Sequence, residues 1–228
     1  MTPAGDGRLL IVTAVAAERA AVLEAISITP AISIIAVGVG PAAAAAGTAR
    51  ELALAEAAGA PYDAVLCAGI AGGYPGVTEI GGLAIASESI AADLGADSPD
   101  GFIDLRDLGF GESVAPTDPR LRAALCRALP AAAVGPVLTV STATGTTLRA
   151  RTMLARYPTA VAEAMEGHGA ALAAAGAGVA FGELRAISNH VGQRDLAGWR
   201  IPQALAALSV GIGAAVDGCR ALCGKVEG

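Results

Sequence analysis

Short continuous apolar runs alternate with Ala-rich, helix-prone runs along the whole chain, and this alternation restricts the fold more than any other feature. Runs such as Leu9-Leu10-Ile11-Val12 carry no polar residue on either face, which is the pattern of a strand covered on both sides. Strands are expected at Arg8–Val15, Ile32–Val37, Ala64–Ala68, Leu83–Ile90, Val137–Ser141, Thr159–Met165 and Val179–Ile187. Helices are expected at Ala16–Ile26, from Pro41 to about Ala58, at Asp118–Leu129, from the 142–147 loop to about Tyr157, at Gly167–Ala175 and from Ile201 to about Leu222. Asp118 reads as an N-cap with Pro119 behind it at the first helical position. Repeated strand–helix alternation argues one α/β domain over residues 1–228, a single-domain three-layer sandwich with a mixed central sheet flanked by helices. The span Ala91–Thr117 has no clear period and reads as a long loop, which in a compact domain is usually functional or ordered by a partner.

Composition removes several classes of function. Net charge is -6, and the chain has one Lys, Lys225, so the electrostatic footprint of nucleic-acid binding is missing. Hydrophobic residues make up 54% of the chain, but much of this is Ala, and no uncharged, strongly apolar stretch of spanning length stands out. The start lacks a basic region and a cleavage site, so a cytoplasmic protein without a signal peptide is expected. Cys67, Cys126, Cys219 and Cys223 have no His or Cys partners at metal spacing and read as buried thiols. With two His, His168 and His190, no metal site and no cofactor are expected.

The polar residues gather at strand ends. They are Glu18, the Gly38–Gly40 turn, Gly69–Gly73, Ser141 with Thr142, Glu166, and Ser188 with Asn189. In open α/β sheets ligands bind outside the carboxyl ends of strands. Each residue alone has a plain structural reading: Glu18 and Glu166 suit helix first turns, and the glycines suit tight turns. Neither glycine segment forms a dinucleotide or P-loop fingerprint. Glu166 at the mouth of a helix is a fixed carboxylate acceptor suited to a diol such as ribose.

Gly69-Ile70-Ala71-Gly72-Gly73, Ala164-Met165-Glu166-Gly167 and Arg185-Ala186-Ile187-Ser188-Asn189 resemble motifs of the purine nucleoside phosphorylase and nucleosidase superfamily. Their order and spacing are most similar to the methylthioadenosine/S-adenosylhomocysteine nucleosidase branch, as are Glu18 and the Val37–Pro41 turn. Three departures are informative. Ser188-Asn189 stands where that branch has Ser-Asp, Ser141-Thr142-Ala143-Thr144-Gly145 replaces a loop with a stacking aromatic, and Ile70 replaces Ser. These departures, with Ala92-Asp93-Leu94-Gly95, Gly101-Phe102 and the run from Ser188 to Asp195 with Trp199, resemble the futalosine hydrolases.

The resemblance implies hydrolysis of an N-glycosidic bond by a homodimer or larger homo-oligomer, with a nucleoside as the only small-molecule partner. It implies Glu18, Glu166 and Asn189 as catalytic residues, with Gly72, Met165, Arg185, Phe102 and Thr142 as substrate-binding residues. For the benzoate arm of such a substrate, Arg194 suits the carboxylate and Trp199 the ring, while an ion pair of Arg194 with Asp195 and helix packing by Trp199 are equally good readings. The chemistry of Asn189 agrees independently. An Asn donates its NH2 to the O6 of a 6-oxopurine and accepts from protonated N7, whereas an ionised Asp only accepts. Three rivals remain open: a phosphorylase, an adenine-specific nucleosidase and a non-catalytic nucleoside-binding module.

Overall fold

The structure is a computed structural model and describes residues 7–223. Lys225 and the side chain of Cys223 lie outside the described residues. The core strands are β1 (Leu9–Thr13), β2 (Ile32–Ala36), β3 (Ala64–Gly73) and β4 (Leu83–Ala91). A hairpin, β5 (Gly95–Ser98) and β6 (Gly101–Asp104), and a short strand β7 (Val114–Pro116) follow, then β8 (Ala133–Thr139), β9 (Ala162–Ala164) and β10 (Ala180–His190). The helices are α1 (Ala16–Ala25), α2 (Pro41–Ala57), α3 (Pro119–Ala128), α4 (Thr147–Arg156), α5 (Gly167–Gly176) and α6 (Ile201–Cys223).

Strand alternation sorts the core into two faces. On β1, Leu9 and Ile11 point to one side and pack with Val22, Leu121, Leu125, Leu208 and Ile212 of α1, α3 and α6. Leu10 and Val12 point to the other and pack with Leu52, Ala170 and Ala174 of α2 and α5. The sheet is mixed: β1 is parallel to β2 and β3, while β9 runs antiparallel to β3 and β4 antiparallel to β10. The strand order is β10-β4-β8-β9-β3-β1-β2, and β10 also pairs with β3. The expected sandwich therefore curls at one end into a closed ring of β3, β9, β8, β4 and β10.

Two elements run past their expected ends for one reason. The strand expected to stop at Ala68 continues through the glycines to Gly73, and the strand expected to stop at Ile187 continues to His190. These extensions pair with each other, Asn189 with Gly72 and His190 with Gly73, after a bulge at Ser188. Glycine weakens a strand on its own, so the backbone partner supplied by β10 is what holds this one extended. The span expected to be a loop over Ala91–Thr117 contains the β5–β6 hairpin and β7, which pairs with β4.

Helix starts follow their local chemistry. Asp118 accepts hydrogen bonds from the Arg120 and Leu121 N–H groups at 2.8 and 3.1 Å, with Pro119 at the first helical position. Gly40, at φ +93°, takes a conformation closed to most side chains and leads into Pro41. No membrane span was expected, yet α6 is long and apolar enough to cross a membrane by length and composition. Its Ala204, Leu208, Ile212, Ala215, Val216 and Cys219 are spent on the core.

Candidate active site

β1, β3, β9 and β10 end around one cavity of about 340 Å³. Glu18, Ile70, Gly72, Thr144, Glu163, Met165, Glu166, Asn189, Arg194 and Trp199 are among its lining residues.

Glu18 enters from the first turn of α1 and is 3% exposed. Its Oε2 accepts from the Ala14 and Val15 N–H groups at 2.8 and 3.1 Å, and its Oε1 from the Ile70 N–H at 2.8 Å. A carboxylate offers about four acceptor positions, so these bonds leave roughly one, on Oε1. Gly69 makes this placement possible. A Cβ there would lie 2.6 Å from Glu18 Oε1 and 2.8 Å from Arg185 Nη1.

Glu166 follows β9 and sits at the N-terminus of α5, 5% exposed. Its Oε1 accepts from the Gly40 N–H at 3.2 Å, and its Oε2 from Arg185 Nη1 at 3.1 Å. Arg185 is itself buried under the site. Its Nε donates to Glu183 Oε1 at 2.8 Å and its Nη2 to the Cys67 sulfur at 3.3 Å. Burial alone would lower the Arg185 pKa, but the carboxylates of Glu183, Glu166 and Glu18 around it drive the pKa up, so the guanidinium stays charged. Burial likewise pushes the Cys67 thiol up, with the neighbouring carboxylates adding to it, and this favours the neutral thiol.

Asn189 lines the same cavity from the end of β10. Its Oδ1 accepts from the Ser188 hydroxyl at 2.8 Å and its Nδ2 donates to the His190 carbonyl at 3.1 Å. Gly72 lies beside it, and a Cβ on Gly72 would come 3.3 Å from Asn189 Nδ2. At the outer rim the Arg194 guanidinium stacks over the Trp199 ring at 5.4 Å. The Arg194 N–H donates to the Gly145 carbonyl, which ties this segment to the 142–147 loop. Asp195 caps the short 3-10 turn Leu196–Gly198.

The fold thus brings Glu18, Gly72, Met165, Glu166, Asn189, Arg194 and Trp199 to one cavity. Arg185 lies behind the wall, against Glu166, rather than in the cavity. Phe102 and Thr142 lie outside the lining. Phe102 is held in the β5–β6 hairpin beneath the Arg156 guanidinium, 4.1 Å from its ring. Thr142 is exposed, and the chain turns so that Ala143 and Thr144 face inward.

Sequence reasoning missed Glu163. It is 7% exposed, lines the cavity, and accepts from the Thr144 N–H and hydroxyl at 2.7 and 2.6 Å. Burial raises its pKa, opposed by the two Thr144 bonds. A lone acid inside the apolar run Val161–Met165 was the available signal.

Residues 15–209 match the family model described as the phosphorylase superfamily. The chain is 48% identical to the futalosine hydrolase of Streptomyces coelicolor over 90% of its own length and 93% of that relative's. It is 37% identical to the futalosine hydrolase of Thermus thermophilus, covering 68% of this chain and 70% of that one. Among solved structures, the futalosine hydrolase of Helicobacter pylori matches with a TM-score of 0.77 at 18% identity, over 93% of this chain and 98% of that one. A methylthioadenosine/S-adenosylhomocysteine nucleosidase from Colwellia psychrerythraea in complex with adenine matches at 0.78 and 21% identity, over 98% and 99%. Those structural likenesses establish the fold.

Proposed function

We propose that this chain, which belongs to the phosphorylase superfamily and within it to the futalosine hydrolases, cleaves the N-glycosidic bond of futalosine with water. The products are hypoxanthine and dehypoxanthine futalosine, which places the reaction in menaquinone biosynthesis. The observation that carries this reading is one cavity lined by the buried carboxylates of Glu18 and Glu166 and by the Asn189 amide.

Each residue has a distinct task. Glu18 uses the acceptor position left on Oε1 to bind and polarise the attacking water. Glu166 accepts from the ribose 2′ and 3′ hydroxyls and stabilises positive charge at C1′ in an oxocarbenium-like transition state. Arg185 holds Glu166 in place from behind, and Met165 packs against the sugar. Asn189 donates to purine O6 and accepts from N7–H as the base departs. Its Oδ1 orientation is set by the Ser188 hydroxyl. Gly72 lets Val191 and the Asn189 amide pack close against β3, and Arg194 with Trp199 suits the carboxylate and ring of the benzoate arm.

Phosphorolysis fits less well. Among the described residues lining the cavity, Arg194 is the one guanidinium, and it is stacked on Trp199. A cytoplasmic homodimer or larger homo-oligomer completes the proposal. Val39 lines the cavity yet is 54% exposed, an apolar rim that a second copy would cover. The test is chromatography of futalosine incubated with purified protein in phosphate-free buffer. Free hypoxanthine is expected, and strict dependence on added phosphate would contradict hydrolysis.

A further inference from the structure

Glu163, Gly72 and Asn189 form one row across three strands. β9 pairs Glu163 with Gly72, and β10 pairs Asn189 with the same Gly72. Two strand spacings separate the outer residues, about 10 Å of backbone. Paired residues in a row share a sheet face, and both outer side chains line the cavity. Gly72 adds no side chain of its own to this row; a Cβ there would lie 2.9 Å from Val191 Cγ2 and 3.3 Å from Asn189 Nδ2.

That row matches the edge of a 6-oxopurine. Along this edge lie N7, O6 and N1–H in order. Asn189 serves the first two, as proposed above. The next atom, N1, separates hypoxanthine from adenine: hypoxanthine has an N–H donor there and adenine a lone pair. An ionised carboxylate only accepts. It satisfies the first base and sets lone pair against lone pair with the second.

We infer that Glu163 reads N1–H of the leaving purine and, with Asn189, sets selectivity for 6-oxopurines. The assignment rests on the nucleosidase reading of the same cavity. Thr144 supports it by fixing the carboxylate. Its N–H donates to Oε1 and its hydroxyl to Oε2, which leaves about one acceptor position on each oxygen for a ligand. Burying a carboxylate without a directly bonded cation is costly, and a merely structural acid gains nothing from lining a cavity already supplied with two others. A site built to hydrogen-bond one substrate group discriminates strongly against the analogue lacking it.

Calorimetric binding of hypoxanthine and of adenine to the full chain tests this without requiring turnover. The wild type should prefer hypoxanthine. In Glu163→Gln that preference should fall at least tenfold, because a Gln amide serves either N1 by turning over. Thr144→Val, which removes one support, should lower it by less and provides a second variant if the first folds poorly. A preference unchanged in both variants, or absent in the wild type, overturns the assignment. If the preference shifts as expected while the wild type releases no hypoxanthine from futalosine, Glu163 keeps its role and the substrate reading fails.

Discussion

At the scale of single residues, the site is a set of buried charges that hold one another. Arg185 is the hub, because it bonds Glu166 and Glu183 with almost no exposure of any of the three. Removing one partner of a buried pair leaves an uncompensated charge. Arg185→Leu is therefore expected to cost about 3–5 kcal/mol in urea unfolding, by the behaviour of other buried pairs. Glu163 gives a pH signature. Burial raises its folded pKa against the pull of Thr144, with Arg149 lowering it and Asp93 raising it from farther off. A raised acid favours the folded state most below the unfolded pKa, and the benefit is lost as pH rises through the folded value. Wild type should thus lose stability relative to Glu163→Gln as pH climbs from about the ordinary Glu pKa of 4.3 toward neutrality. Parallel denaturation curves for the two proteins across that range are the check. Equal pH slopes would show that Glu163 is not desolvated. Glu18 and Asn189 were legible in the sequence because each has a chemical reason to stand at a strand end. Glu163 was not, because its role appears only when β3 lies between β9 and β10.

At the scale of elements, glycines decide how close the strands and helices come. Gly69 read from sequence as the start of a ligand loop, but its place is inside β3, against the carboxylate of Glu18. What the sequence could not show is the pairing that turns a glycine run into a strand, since that partner lies more than a hundred residues away on β10. The same limit explains the β5–β6 hairpin, whose span shows little alternation, and the inward turn at Ala143 and Thr144 in place of Thr142. Gly69→Ala puts a methyl group within 2.6 Å of Glu18 Oε1 and 2.8 Å of Arg185 Nη1. Overpacking of this kind costs about 1–3 kcal/mol. Turnover should drop more than binding, because Glu18 moves while the purine end is untouched. Steady-state kinetics with kcat and KM compared separately would show it, and an unchanged kcat would refute the close approach.

For the whole molecule, the strand–helix alternation specifies the layers, and the ring closure of β10 on β3 specifies where the site forms. The first is local and readable. The second depends on a parallel pairing between segments far apart in sequence, and only the folded chain reveals it. Because the cavity is built from β1, β3, β9 and β10 together, a base bound there should stabilise the entire domain. Hypoxanthine at about 100 times its Kd should contribute about 2.7 kcal/mol, or roughly 5–10 °C in Tm for a domain of this size. Adenine at the same concentration should raise Tm less.

The central claim is that Glu18 activates water against a nucleoside whose sugar faces Glu166 and whose base faces Asn189. Its most direct test is kcat/KM for hypoxanthine release from futalosine by wild type and Glu18→Gln in phosphate-free buffer. A fall on the order of 10²–10⁴-fold is expected in the variant, with hypoxanthine binding retained. Equal rates for the two proteins would contradict it.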